Sequence, residues 1–348
     1  MPQGVLNRNQ GVVSAVKTQR VPLWDNLKLL AMTLVIISHA VDNYPELYGG
    51  SVNASWGGAI MLVISVLCVI RMPIFAIISG LLFRERDNAK LLGSYLYPCV
   101  LFSILEIMSW HISCGQAPWL TFGWSMWYLW SLFWYAFITP ILLKQCSLNV
   151  LFVISLVLAV AVGFTPLEYT FQLSRLVTFY PFFLVGIWLQ KYQDKILDEH
   201  RYRGWWKVLL IGILIATAAL FYMYPHVRHY LNFAVPYYNV CSMFKRILMY
   251  SICGGASVSL IMACKNRVHW FTKYGVRTLN VYLCHMAFVI FPISFSLTQP
   301  IMNTWYGYLI NLICVPLICC VFYTDVWDKL MSYVLLKRLS NEPVNKEY

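Results

Sequence analysis

Ten stretches of roughly twenty mostly apolar residues follow one another along the chain, at 24–44, 57–83, 91–110, 124–143, 149–165, 173–190, 205–224, 243–264, 272–295 and 303–324. A helix of about 20 residues spans the ~30 Å hydrocarbon layer of a membrane. It also satisfies its own backbone groups, which lipid cannot do. Hydrophobic residues make up 60% of the chain and charged residues 11%. Soluble globular chains carry about 45–50% and ~25%. This composition excludes a soluble pair of domains, a disordered chain, a collagen and a disulfide scaffold. The expected class is an all-α integral membrane protein with about ten transmembrane helices. The second stretch is long, and Pro73 and Gly80 predict a kink or break in it.

Charge orients the spans. The formal net charge is +12. With the N-terminus in the cytoplasm, 21 of the 26 Lys and Arg fall on inner segments, among them Arg8, Lys17, Lys144, Arg201, Arg203, Arg277, Lys337, Arg338 and Lys346. The outer loops 111–123 and 296–302 hold none. Cytoplasmic loops of membrane proteins are enriched in these residues. Both termini are therefore expected in the cytoplasm, and nucleic acid is not needed as a partner to explain the charge. The division is a cytoplasmic arm at 1–23, a membrane domain at 24–324 and a cytoplasmic tail at 325–348. The arm lacks the apolar core and cleavage site of a signal peptide. The 11 cysteines lie mostly in apolar runs without a CxxC pair, so they read as small packing residues.

Ionisable groups inside a bilayer are costly and mark functional sites by default. His39 lies eleven residues past Lys28, hence ~16 Å deeper. Arg71 is twelve residues from Phe83 at the inner edge of its span, ~18 Å deep. His285 is eight residues past Arg277, ~12 Å deep. Three helices thus bring a base and two cationic or proton-carrying groups to similar depth. Glu106, a candidate partner for Arg71, lies further out, as does Arg175. Lys245 and Arg246 open the eighth span, where snorkelling to the interface is expected. An aromatic stretch of Trp110, Trp119, Phe122, Trp124, Trp127, Tyr128 and Trp130 reads as an interfacial belt or a sugar-stacking platform. His226 and His229 flank Arg228 in an outer loop. With no third ligand in sequence, no metal site is expected there.

Several segments resemble, in order, the acyltransferase-3 family of integral-membrane O-acyltransferases. Lys28, ten residues, then His39 is similar to that family's basic-x10-His signature, with Lys where Arg is usual. Arg71-Met72-Pro73-Ile74-Phe75 through Ser79-Gly80 to Phe83 resembles its Met-Pro-aromatic run, followed by basic Arg84 and Arg86 and then Tyr97-Pro98. Trp127-Tyr128-Leu129, Arg175 with Pro181-Phe182-Phe183 to Gly186, and Thr278-Leu279, Tyr282-Leu283 and His285 match later segments. The subgroup it resembles most acetylates sugar hydroxyls of bacterial surface glycans.

The resemblance implies a membrane O-acetyltransferase of the bacterial cytoplasmic (inner) membrane. The donor it implies is acetyl-CoA, with no permanently bound cofactor. The acceptor it implies is a glycan or lipid-linked oligosaccharide beside membrane lipid. Catalysis is expected of His39, Arg71, His285 and Tyr282, donor binding of Lys28, Arg84 and Arg86, and acceptor binding of Glu106, Arg175 and Trp127. The alternatives are a multi-span transporter or flippase-like protein, which polar groups near the membrane midplane also suit, and a scaffold in which the buried ionisable groups only join helices.

Overall fold

A computed structural model describes residues 20–48, 56–115, 125–167, 169–198, 203–237, 239–293, 301 and 305–335. Arg8 and Lys17 of the arm, Trp119, Phe122 and Trp124 of the aromatic stretch, Arg201, and Lys337, Arg338 and Lys346 of the tail lie outside the described residues. The described residues are helical, with no strand among them. The helices are α1 (Pro22–Tyr48), α2 (Trp56–Leu81), α3 (Asn88–Leu91), α4 (Tyr97–Cys114), α5 (Trp127–Gln145), α6 (Leu148–Ala161) and α7 (Leu173–Gln190). They are followed by α8 (Gln193–Leu197), α9 (Gly204–Met223), α10 (Val240–Ala263), α11 (Thr272–Gly275), α12 (Thr278–Cys284), α13 (Trp305–Cys319) and α14 (Asp325–Val334).

Five helical segments among the described residues are long and apolar enough to cross a membrane: Met61–Leu81, Asn88–Ser113, Thr170–Gln190, Gly204–Met223 and Val240–Ala263. Leu309–Tyr323 and Asp325–Val334 make a sixth if that pair, bent by 68°, counts as one span. Leu148–Phe164 and Thr278–Ile290 are apolar but shorter. On α9, Val208, Ile211 and Ile215 are exposed. They recur at helical spacing and form the apolar outer stripe of a helix whose solvent is lipid.

α2 is the centre of the bundle, packed against α1, α7, α9 and α10. It runs as one helix through Pro73, so the expected break is absent. Pro73 gives up its own amide bond and its ring crowds the Val69 carbonyl, but neighbours on several sides hold the flanking turns. α2 meets α7 backbone to backbone. A Cβ on Gly80 would lie 1.8 Å from the Phe183 carbonyl oxygen, and one on Gly186 would lie 2.0 Å from the Ile77 carbonyl oxygen. Small residues let membrane helices approach this closely. Gln190 of α7 then closes the end of α2, donating from Nε2 to the carbonyls of Gly80 (3.0 Å) and Phe83 (2.9 Å). Carbonyls at the end of a helix lack the i+4 amide that serves those in its middle.

Two arginines are structural. Arg203, buried, donates to the carbonyls of Met262 (3.2 Å), Cys264 (2.7 Å), Ile196 (3.1 Å) and Asp198 (2.7 Å). One planar fork thereby caps the ends of α8 and α10 and ties both to the start of α9. We expect Arg203→Ala to destabilise the protein by about 3 kcal/mol, since bonds from a charged donor contribute about 1.5–3 kcal/mol each before exposed carbonyls rehydrate. Arg203→Lys should recover little, because an ammonium cannot reach both helix ends. Thermal unfolding in detergent measures both; wild-type stability in Arg203→Ala would refute the capping role. Arg246 does not snorkel. It is fully buried, donates to the carbonyls of Val235 and Ala159, and stands 4.7 Å over the Tyr237 ring.

Candidate active site

A cavity of about 490 Å³ lies between α1, α2, α5, α7 and α10, a volume suited to a small ligand. Its α2 wall is a helical stripe, with Met61, Ser65, Cys68 and Met72 at spacings of four, three and four. His39 and Val35 supply the α1 wall. The connection between α9 and α10, a 3-10 segment at Pro225–Asn232, brings in His226, Arg228 and His229.

His39 is half-buried and its ring centroid is 5.6 Å from that of His285. His285 is buried at the start of a π-helical turn, His285–Ile290. Such turns recur at functional sites because the extra residue re-aims side chains. His285 Nδ1 sits 2.7 Å from the Tyr282 carbonyl and 3.2 Å from that of Val281. Carbonyls only accept, so Nδ1 carries the hydrogen and donates. Nε2 is then a bare acceptor, and no hydrogen-bond partner reaches it among the described residues.

Arg71 donates to Ser38 Oγ, one residue before His39. This bond ties the guanidinium of α2 to α1 beside the histidine. Arg175 stands 5.2 Å over the Trp127 ring and 4.9 Å over the Tyr169 ring, and its Nη1 donates to Gln172 Oε1 at 3.3 Å. The turn before it is strained. Phe171 (φ 45°) and Gln172 (φ 56°) are both left-handed, at about 1–3 kcal/mol each. That strain is held at the point where Arg175 enters the cavity wall.

Glu106 is buried behind the wall. Its Oε2 accepts from the Ser125 hydroxyl (2.6 Å) and amide (3.4 Å). Tyr282 donates its hydroxyl to the Ser125 carbonyl at 2.6 Å. Glu106 and Tyr282 therefore act on the cavity through Ser125, which lines it; the expected partner of Glu106 was Arg71. At the opposite end of α1, Lys28 pairs with Asp25 Oδ1 at 2.7 Å, and Arg20 donates to Asp25 Oδ2 at 2.7 Å. Arg84 and Arg86 are exposed in the segment after α2.

The fold thus brings His39, Arg71, Arg175 and Trp127 to one cavity, with His285 against His39. Lys28, Arg84 and Arg86 are not among its lining residues. Ser125, Tyr169 and the loop residues His226, Arg228 and His229 join the wall without a periodic pattern to announce them. Their one signal was two histidines around an arginine in an otherwise short connection.

No curated protein and no solved structure matches the chain. The family model of the acyltransferase-3 group, described as an acyltransferase domain, matches residues 22–325. That range holds every helix from α1 to α13 and therefore the whole cavity, and the chain belongs to the acyltransferase-3 family.

Proposed function

We propose that the chain is a membrane O-acetyltransferase that moves an acetyl group from cytoplasmic acetyl-CoA to a hydroxyl of a cell-surface glycan or its lipid-linked precursor. Ten spans, both termini in the cytoplasm and a bacterial inner membrane belong to the same proposal. The observation that carries it is the pair of histidine rings 5.6 Å apart at a polar cavity inside an apolar bundle. Family membership adds acyl transfer and gives no support to a transporter.

In this reading the acceptor hydroxyl gives its proton to His39 as its oxygen attacks the thioester carbonyl carbon. The C–S bond breaks, and the leaving thiolate takes the proton from the His39 imidazolium. The negative charge that develops on the carbonyl oxygen faces Arg71. His285 Nε2 makes no hydrogen bond among the described residues; in this reading the neighbouring His39 ring turns one N–H onto it when substrate enters, which leaves the other ring nitrogen of His39 as the base, a role carboxylates fill in other acyl transferases. Lys28, Arg84 and Arg86 take the phosphates of the donor at the inner end, where charge-assisted contacts suit them.

The test is acetyl transfer in membranes. Radiolabelled acetyl-CoA and a crude glycan fraction are added to membranes with and without the protein, and label in polysaccharide is counted. Label that depends on the protein is expected. Folded protein that labels no glycan fraction overturns the reading. His285→Ala should lower kcat by about 10–100-fold, less than the ~10²–10⁴-fold contribution of a general base itself, with KM for acetyl-CoA unchanged. An unchanged kcat would remove His285 from the mechanism.

A further inference from the structure

Three arginines and three histidines line one cavity. His39, Arg71, Arg175, His226, Arg228 and His229 all lie on its wall, and no Asp or Glu stands among the described lining residues. Arg175 is held by two aromatic faces and a neutral amide. These contacts help to orient its guanidinium. Fixed guanidinium forks of this kind match carboxylate and phosphate oxygens two at a time.

The cations also divide by position. Arg175 enters at the start of α7, and Arg228 lies in the connection from the end of α9 to the start of α10. Lys28 near the start of α1 and Arg84 after the end of α2 belong to the other ends of their helices. Lys28 and Arg84, the proposed donor-phosphate ligands, lie outside the cavity that Arg175 and Arg228 line. Ser125 and the rings of Trp127, Tyr169 and Phe179 also line the cavity, with Trp127 and Tyr169 against Arg175. Flat aromatic faces and a hydroxyl suit a sugar ring; the guanidiniums suit an anion attached to it.

We propose that the acceptor is an anionic sugar, whose carboxylate or phosphate is bound by Arg175 and Arg228 while its hydroxyl faces His39. This rests on the acetyltransferase reading for the hydroxyl, but the anion site stands on the cavity alone. Attraction between an anion and guanidiniums is strong in a low-dielectric cavity, so charge selects the acceptor.

The experiment is equilibrium binding by calorimetry to the full chain in detergent, with three probes: methyl β-glucoside, methyl β-glucuronoside and glucose 1-phosphate. At least one anionic probe should bind ten-fold or more tightly than the neutral one. Which of the two does so identifies carboxylate or phosphate as the recognised group. Arg228→Gln, checked for a wild-type unfolding midpoint, should remove that preference, and Arg228→Lys should keep part of it. Equal affinity for neutral and anionic probes, binding of none of the three, or a preference that survives in Arg228→Gln would each overturn the proposal. Acetyl transfer from acetyl-CoA to the bound probe is measured separately. Anion-selective binding without transfer would sink the acetyltransferase reading and leave the anion site standing.

Discussion

His39→Ala is expected to lower acetyl transfer by about 10²–10⁴-fold, the usual contribution of a positioned general base, and to leave the protein folded. The second half of that expectation follows from the site. His39 already borders open space, so truncation enlarges an existing cavity without unpacking the core. Its neighbours keep their own partners: Arg71 retains Ser38, and His285 retains the Tyr282 carbonyl. Loss of turnover should therefore appear in kcat, with KM for acetyl-CoA near wild type and an unfolding midpoint within a few degrees. Added imidazole should restore a measurable fraction of the rate, because the hole left by the ring is open to the cavity. Full acetylation by His39→Ala would end the general-base assignment. Loss of folding along with activity would instead make His39 a structural joint between α1 and its neighbours.

Gly186→Ala is expected to have the largest effect on stability. A methyl there would sit 2.0 Å from the Ile77 carbonyl oxygen, 2.7 Å from the Leu81 amide nitrogen and 2.8 Å from the Gly80 Cα. All three are backbone atoms that no rotamer change can move. α2 and α7 would have to separate along their whole contact, and Gln190 would be drawn off the carbonyls it caps. Overpacking a core costs about 1–3 kcal/mol where side chains can yield; here the cost should reach or exceed the top of that range. Gly212→Ala on α9 is the control, since nothing lies within 4 Å of its added methyl. It should be neutral or stabilising by up to about 1 kcal/mol through helix propensity. Unfolding midpoints of the two variants in detergent decide the matter. If they coincide, the backbone contact between α2 and α7 does not hold the bundle together.

Much of the site is legible in the sequence. Polar residues embedded in apolar runs advertise themselves by their cost, which is why His39, Arg71, Arg175 and His285 stand out from the residues around them. Depth along each helix places three of them at a similar level, but helix rotation and neighbour choice are not encoded in depth. So Glu106 turns to Ser125 and not to Arg71, and the Tyr282 hydroxyl is used on a carbonyl. Loop residues carry no periodicity, and the charged side chains of a connection look the same whether they face water or fold inward over a cavity, as Arg228 does. Arg203 and Arg246 are hidden for a different reason. Positive charge near span ends has a ready topological explanation, and only the positions of the helix ends reveal which arginine also caps carbonyls. The same holds for the helix count. Composition marks ten apolar stretches, whereas α6, α12 and α13 are shortened or distorted by 3-10 and π-helical turns.

The contacts at the start of α1 bear on how the protein is made. The Leu23 amide donates to Asn266 Oδ1, Asn26 donates to the Arg267 carbonyl, and Thr272 donates to Asn26. A Cβ on Gly275 would strike the Asp25 carbonyl. The helix that carries His39 leaves the ribosome well before the residues that seat it, which are translated some 240 positions later. At about 5–20 residues per second, the first helix waits on the order of ten seconds or more for its dock. During that interval it stands in the membrane with Asp25 and the polar face around Asn26 unseated. A ribosome stalled just before residue 266 therefore yields an inserted chain that holds the cavity-lining residues but lacks both the dock of α1 and His285.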